Sequence, residues 1–176
     1  MRTAFTLALL LGAAMSARGD IASGPKEGDK AATLKVYAVT GDPKEKEIDY
    51  ADLRKDKPTV YVFVPADKFD RPMFRFIKTL DEGLGDAGLI VAVWLTEDVD
   101  KSKDYLPKIS QYFPSAALTV FPGEKAGPKD WAINADAHLT AVVVSGGKIV
   151  KSFGYQSLNE TDAPAVVEAL KKAGKK

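Results

Sequence analysis

Two runs, Pro58-Thr-Val-Tyr-Val-Phe-Val64 and Leu89-Ile-Val-Ala-Val-Trp-Leu95, are almost unbroken in β-branched, aromatic and aliphatic residues. A strand with one wet face alternates apolar with polar residues. A continuous run belongs to a strand covered on both faces, as in the middle of a sheet. Between the two runs, Asp70 to Gly85 reads as an amphipathic helix. Phe74, Ile77 and Leu80 recur three to four residues apart, and Gly83, Gly85 and Gly88 close the segment. A connection of that length is a crossover and not a hairpin, so the two strands lie parallel. The unit dictates a layered α/β domain.

The flanking sequence extends the pattern. Thr33 to Thr40 alternates like a half-buried strand, and Gly41-Asp-Pro marks a turn. Glu47 to Asp49 is a short returning strand, with Asp49 placed to cap a helical turn over Tyr50 to Lys55. Lys101 to Phe113 is a second helix, Ala117 to Phe121 a third buried strand, and Pro122 to Ala137 a loop or short helix. Thr140 to Val144 and Lys148 to Phe153 form a hairpin around Gly146-Gly147. Glu160 to Lys172 is the closing amphipathic helix, with a tail at 174–176. The order implies a three-layer α/β/α sandwich: a mixed central sheet with helices on both faces.

Residues 1–17 carry one charge, Arg2, then roughly a dozen mostly apolar residues ending in Ala-Met-Ser-Ala. That is the pattern of a secretory signal peptide, with cleavage after Ser16 or Ala17, and it is short of the ~20 apolar residues a membrane span needs. The expected location is therefore periplasmic or extracellular, with no membrane span in the mature chain. Residues 18–30, rich in Gly, Pro, Lys and Asp, read as a flexible leader.

There is no cysteine among the 176 residues, and one histidine. An exported chain of this size often carries disulfides; this one must rely on core burial. Thiolate nucleophiles, sulfur-ligated metals and a two-histidine metal site within one chain are excluded. With 25 basic and 24 acidic residues the net charge is +1, and losing Arg2 with the signal peptide brings it to zero. Such a balance speaks against nucleic acid as a partner.

The segment Val60-Tyr-Val-Phe-Val-Pro-Ala-Asp-Lys-Phe-Asp-Arg-Pro-Met-Phe-Arg-Phe-Ile77 resembles the strand, loop and active-site helix of thioredoxin and redoxin domains. In that family an aromatic residue precedes Cys-x-Pro-Cys; here Phe69 precedes Asp70-Arg71-Pro72-Met73. Asp29, Leu34 and Lys57 to Phe63 are similar to the front end of redoxin domains, and Val142 to Val150 to the last hairpin. The resemblance spans about Asp29 to Ala173 and implies one thioredoxin-like domain over 31–173. It also implies the site. Asp70 and Met73 stand where the dithiol cysteines stand, and Leu139 stands where a cis-proline faces them. No proline occurs between Pro128 and Pro164, so a trans bond is expected before Leu139.

The departures remove thiol–disulfide exchange. A helix start lowers the pKa of the attacking cysteine; Asp70 puts a carboxylate there, and Met73 has no proton to lose. A thiol-peroxidase motif begun at Pro65 places Phe69 and Pro72 at its last two named positions, so it is absent as well. No catalytic residue, metal or cofactor is assigned. The expected role is a redox-inactive module that binds a protein or peptide through the former active-site face: Phe69, Asp70, Arg71, Met73, Leu139 and Trp131. The alternative is an enzyme with a recruited carboxylate or metal site. Asp67 with Asp70, or Glu97, Asp98, Asp100 and Asp104, supply acids for it, while His138 stands apart in the sequence.

Overall fold

The computed structural model describes residues 20–174. The signal-peptide reading at 1–17 and the last two residues of the tail lie outside them. A seven-stranded sheet runs in the order β2-β1-β5-β4-β3-β6-β7. Its strands are β1 (Lys35–Ala38), β2 (Lys46–Asp49), β3 (Thr59–Pro65), β4 (Leu89–Leu95), β5 (Ala117–Phe121), β6 (Leu139–Ser145) and β7 (Lys148–Tyr155). The two apolar runs pair in parallel over their whole length, Thr59 opposite Leu89 and Pro65 opposite Leu95. β5 continues the parallel set beyond β4. β6 then returns on the other side of β3, antiparallel, with Phe63 opposite Thr140. The sheet is mixed, as expected.

The helices are α1 (Tyr50–Leu53), α2 (Arg71–Leu84), α3 (Val99–Ile109) and α4 (Ala163–Ala173). Each long helix starts near the expected place, for a local reason. Asp70 caps α2, its carboxylate accepting from Met73 N. Asp98 caps α3 in the same way through Lys101 N, which starts that helix two residues ahead of expectation. Asn159 and Asp162 form a reciprocal capping box ahead of α4. In the hairpin between β6 and β7, Gly146 and Gly147 both adopt positive φ, 57° and 69°. That is the conformation a two-residue primed turn requires.

Both faces of the sheet are covered, unevenly. Right-handed crossovers that step in one direction place α2 and α3 on the same side, and α4 joins them there. Met73, Phe76, Ile77 and Leu80 of α2, Leu106 of α3, and Val166 and Leu170 of α4 pack on Val60, Val62 and Val64. The other face has no long helix. Tyr50 of α1, Leu34 and Trp131 cover Tyr61, Phe63, Val91 and Val93 instead. Trp131, expected as an exposed contact, is 0% exposed. Its ring lies 4.9 Å from Tyr61 and 5.2 Å from Phe63, and its indole nitrogen donates to the Thr33 carbonyl. The reason is the missing helix: the loop 122–137 must supply the apolar bulk that a helix would otherwise bring.

The leader reading also changes. Residues 20–30 are not a free arm but a strap along β7, bridged at Ile21 to Gly154 and at Lys30 to Lys148. Ser152 donates to the Pro25 carbonyl, and Ser23 shares a buried hydrogen bond of 2.6 Å with Thr140. Gly154 makes the approach possible, because a Cβ there would collide with the Ile21 carbonyl and with Ser23.

Candidate functional site

The chain leaves the sheet after β5 and re-enters beside β3 as β6, so the carboxyl end of β3 is the point where strand order reverses. Open α/β sheets place ligands at such a point. Here it gathers a 3₁₀ turn at Ala66–Lys68, the start of α2 and the loop 132–138 before β6.

Asp70 is the centre of this region. One carboxylate oxygen accepts from Met73 N at 2.9 Å, and the other lies 3.1 Å from His138 Nε2. The His138 backbone donates in turn to the Tyr155 carbonyl, which fixes the imidazole at the mouth of β6. Lys68 ties the same loop from below, donating to the carbonyls of Ala135 and Ala137. Sequence reasoning did not join His138 to the site, since 68 residues separate it from Asp70. Its position immediately before Leu139, the residue that the resemblance sets opposite Asp70, was the available signal.

The remaining positions divide by burial. Phe69 is half-buried, and Asp70, Arg71 and Pro72 are exposed. Met73 and Leu139 are each 0% exposed, so neither offers a contact surface. Met73 points inward because the third residue of an amphipathic helix start, three before Phe76, falls on the core stripe. Leu139 opens a strand whose alternate residues all face α2 and α4. Trp131 lies on the opposite side of the sheet. The accessible face is therefore Phe69, Asp70, Arg71 and Pro72 with His138. Leu139 follows a trans bond: the cis peptide among the described residues is at Asp42–Pro43.

Beside Asp70, a groove of about 370 Å³ runs over the ends of β3 and β4. Phe69, Trp94 and Tyr105 give it an aromatic wall, with ring centroids 5.1 and 6.4 Å from Phe69. Asp67, Asp98 and Lys101 stand at its rim. The acids are already engaged. Lys125 hydrogen-bonds Asp67 at 2.6 Å and holds its carboxyl below the usual range, while Asp98 caps α3. Asp67 and Asp70 thus serve different partners, and among the described residues no three acidic or imidazole side chains gather as metal ligands.

Chemically, the site holds a carboxylate at a helix start, where the macrodipole favours an anion. It also holds an imidazole within hydrogen-bond reach of that carboxylate and a half-open aromatic groove. With no sulfur nucleophile in the chain, the electron chemistry of a dithiol is gone.

Solved structures carry the same architecture. Reduced Prx3 of Vibrio vulnificus, in complex with hydrogen peroxide, superposes with a TM-score of 0.62 at 15% identity, over 84% of this chain and 96% of its own. The exposed lipoprotein thioredoxin Etrx1 of Streptococcus pneumoniae gives 0.57 at 16% identity, over 80% and 99%. A thio-disulfide isomerase of Thermus thermophilus gives 0.59 at 15%, over 85% and 98%. The fold is thioredoxin-like. At these identities the likeness extends to the fold alone. No family model matches the chain, and neither does any curated protein. Among the described residues of this thioredoxin-like domain, no helix is long and apolar enough to cross a membrane.

Proposed function

We propose that the protein is an exported thioredoxin-like module without redox catalysis, which binds a protein or peptide through the rim of the former active site. The observation that carries this reading is the state of Asp70. At the position of the attacking cysteine, both oxygens of a carboxylate are committed, one to the helix cap and one to His138. Met73, at the resolving position, is sealed in the core. A side chain that holds its own scaffold in this way is a structural replacement for a reactive one. The surface left for recognition is Phe69, Arg71, Pro72 and the aromatic groove beside them, apolar in its wall and charged at its rim, which is the chemistry of a peptide contact.

Export rests on the pattern of residues 1–17. Its test is the amino-terminal sequence of the protein recovered outside the cytoplasm: a start at Ala17 or Arg18 is expected, and intact Met1 on protein confined to the cytoplasm refutes it. For the binding reading, disulfide-reductase, isomerase and peroxidase assays on the purified protein should stay at background. A captured partner should be lost from Phe69→Ala and Arg71→Glu together, with the fold unchanged by circular dichroism. Turnover in any of the three assays contradicts it.

A second reading draws on the 3.1 Å contact of His138 with Asp70, the geometry of an oriented general base. It requires a turnover that disappears in His138→Ala and persists in Arg71→Glu.

A further inference from the structure

Among the described residues three large apolar side chains are exposed, Leu53, Tyr105 and Tyr112. Leu53 stands alone on α1. The other two lie on one line of α3 and the 3₁₀ turn that continues it, in the order Lys101, Tyr105, Lys108, Tyr112. Residues spaced three and four apart in this way share one side of a helix. That side faces α2: the Tyr105 ring meets Phe69, and the Tyr112 ring lies 5.4 Å from Phe74 of α2. The cleft between the two helices therefore carries an aromatic strip open to solvent, with Tyr105 39% and Tyr112 48% exposed. Apolar surface gathered in one exposed place marks an interaction site.

The charges beside the strip have one sign to spare. Arg71, one turn before Phe74 on α2, and Lys101 and Lys108 on α3 are exposed and form no ion pair among the described residues. Nearby acids are engaged or turned aside. Asp67 is bonded to Lys125, Asp98 caps α3, and Glu82 pairs with Lys78. Asp100 is turned about 100° from Lys101 by the helical twist. Asp104 falls between the two lysines by spacing and pairs with neither. Along the cleft, three free cations stand against one free carboxylate.

Where the cleft meets the groove beside Asp70, Ser102 lines the wall next to Lys101. It is 6% exposed, and its hydroxyl bonds to no group among the described residues. Unlike Tyr50 Oη and Asp81 Oδ1, which are sealed, it stays open to the groove. A nearly buried donor beside a free ammonium, in a wall that a ligand reaches, is a seat for a carboxylate. Spacing completes the description. Lys101 and Lys108 are two helical turns apart, about 10 Å. An extended chain covers that distance in three residues, at about 3.1–3.4 Å each.

We propose that the cleft between α2 and α3 docks an acidic peptide segment. Two of its carboxylates, three residues apart, sit on Lys101 with Ser102 and on Lys108, and its apolar side chains rest on Phe69, Tyr105 and Tyr112. The proposal rests on the reading of this protein as a peptide-binding module and names the chemistry of its partner.

The test is titration of the purified full-length protein with acetyl-Glu-Ala-Phe-Glu-Ala-Phe-amide, followed by calorimetry and amide shifts. Three control peptides replace both glutamates by glutamine, both by lysine, or both phenylalanines by alanine. The acidic peptide saturates, with shifts centred on Lys101, Ser102, Tyr105, Lys108 and Tyr112, and its affinity falls as salt is added. The glutamine and alanine controls bind roughly tenfold more weakly. Lys101→Glu combined with Lys108→Glu, at exposed positions, reverses the preference toward the lysine control while the melting temperature stays near wild type. The peptide controls leave the protein untouched, so a variant that fails to fold does not remove the test. No saturation at millimolar acidic peptide, equal binding of the glutamine control, or an unreversed preference in a folded double variant overturns the proposal. Binding to phosphatidylserine vesicles in place of the peptide, or a dimer that Tyr112→Ala dissolves, gives the cleft another occupant and overturns it too. Shifts confined to Phe69 and Arg71, equal for acidic and glutamine peptides, sink this proposal alone and leave the peptide-binding reading standing, whereas thiol–disulfide or peroxidase turnover sinks that reading.

Discussion

Replacing Asp70 separates what its two oxygens do. Asp70→Ala removes both the helix cap and the His138 contact; Asp70→Asn keeps the cap, since asparagine caps as well as aspartate, and removes the charge. The cap contributes about 1 kcal/mol, within a range of about 0.5–2. The pair with His138 is half open to water, with side chains 42% and 27% exposed, so screening limits it to at most about 1 kcal/mol. Asp70→Ala should therefore cost about 1–2 kcal/mol and Asp70→Asn under about 1. In a domain of this length each kcal/mol moves the melting temperature by about 2–4 °C. The alanine variant should melt about 2–8 °C low and the asparagine variant about half that or less. Scanning calorimetry reads both, and a double-mutant cycle with His138→Ala isolates the pair. Equal losses in the two variants would show that the charge, not the cap, carries the effect. No loss in Asp70→Ala would refute the argument that Asp70 is structural.

Three further substitutions probe the covering of the sheet and the buried acid. Trp131→Ala should cost about 3–5 kcal/mol, the range for emptying a buried aromatic site, read as a lower urea midpoint at unchanged slope; a change within about 0.5 kcal/mol would return Trp131 to the surface. Gly154→Ala should lose about 1–3 kcal/mol through overpacking and expose residues 20–30 to limited proteolysis, whereas an uncleaved strap would contradict the contact with Ile21. Asp81 is 4% exposed, and burial raises its carboxyl above the ordinary aspartate value. Its native state prefers the protonated form, so its penalty is absent below the unfolded-state value. The penalty grows as pH climbs toward the raised native value and is complete above it. Asp81→Asn should accordingly stabilise the protein at neutral pH and lose that advantage in acid, checked by denaturation at both; a gain independent of pH would rule out ionisation as the cause.

The parallel core was legible in the sequence because β3 and β4 are buried on both faces, and burial of that kind leaves no polar residue to blur the run. Helix starts were legible where a cap is encoded locally, as at Asp49 and Asp70. Three features were not. Trp131 sits in a polar, glycine-containing loop, and nothing in its neighbours says that the sheet face above it lacks a helix. His138 meets Asp70 only because β6 returns beside β3, a contact set by topology. Met73 and Leu139 were read as surface residues from the motif alone, and a motif is silent on burial. A cysteine thiol at the first position of such a motif must reach solvent to react; its replacement is free of that demand, and the side chains around it can close inward.

The strap has a kinetic meaning as well. Ser23 bonds to Thr140 and Asn134, Pro25 to Ser152, and Asp20 to Gln156 and Ser157, across 111 to 137 residues of sequence. Closing loops of that length is entropically costly and late. The first described residues to leave the ribosome are thus among the last to find their places, after the β6–β7 hairpin exists to receive them. Until then β7 is an open edge. The opposite edge, β2, is defended by its four-residue length and by Lys46, Glu47 and Asp49. The interval between completing the hairpin and docking the strap is the period in which this chain can pair with another, and Asn134, held by the strap, keeps the loop that carries His138 waiting on that same final step.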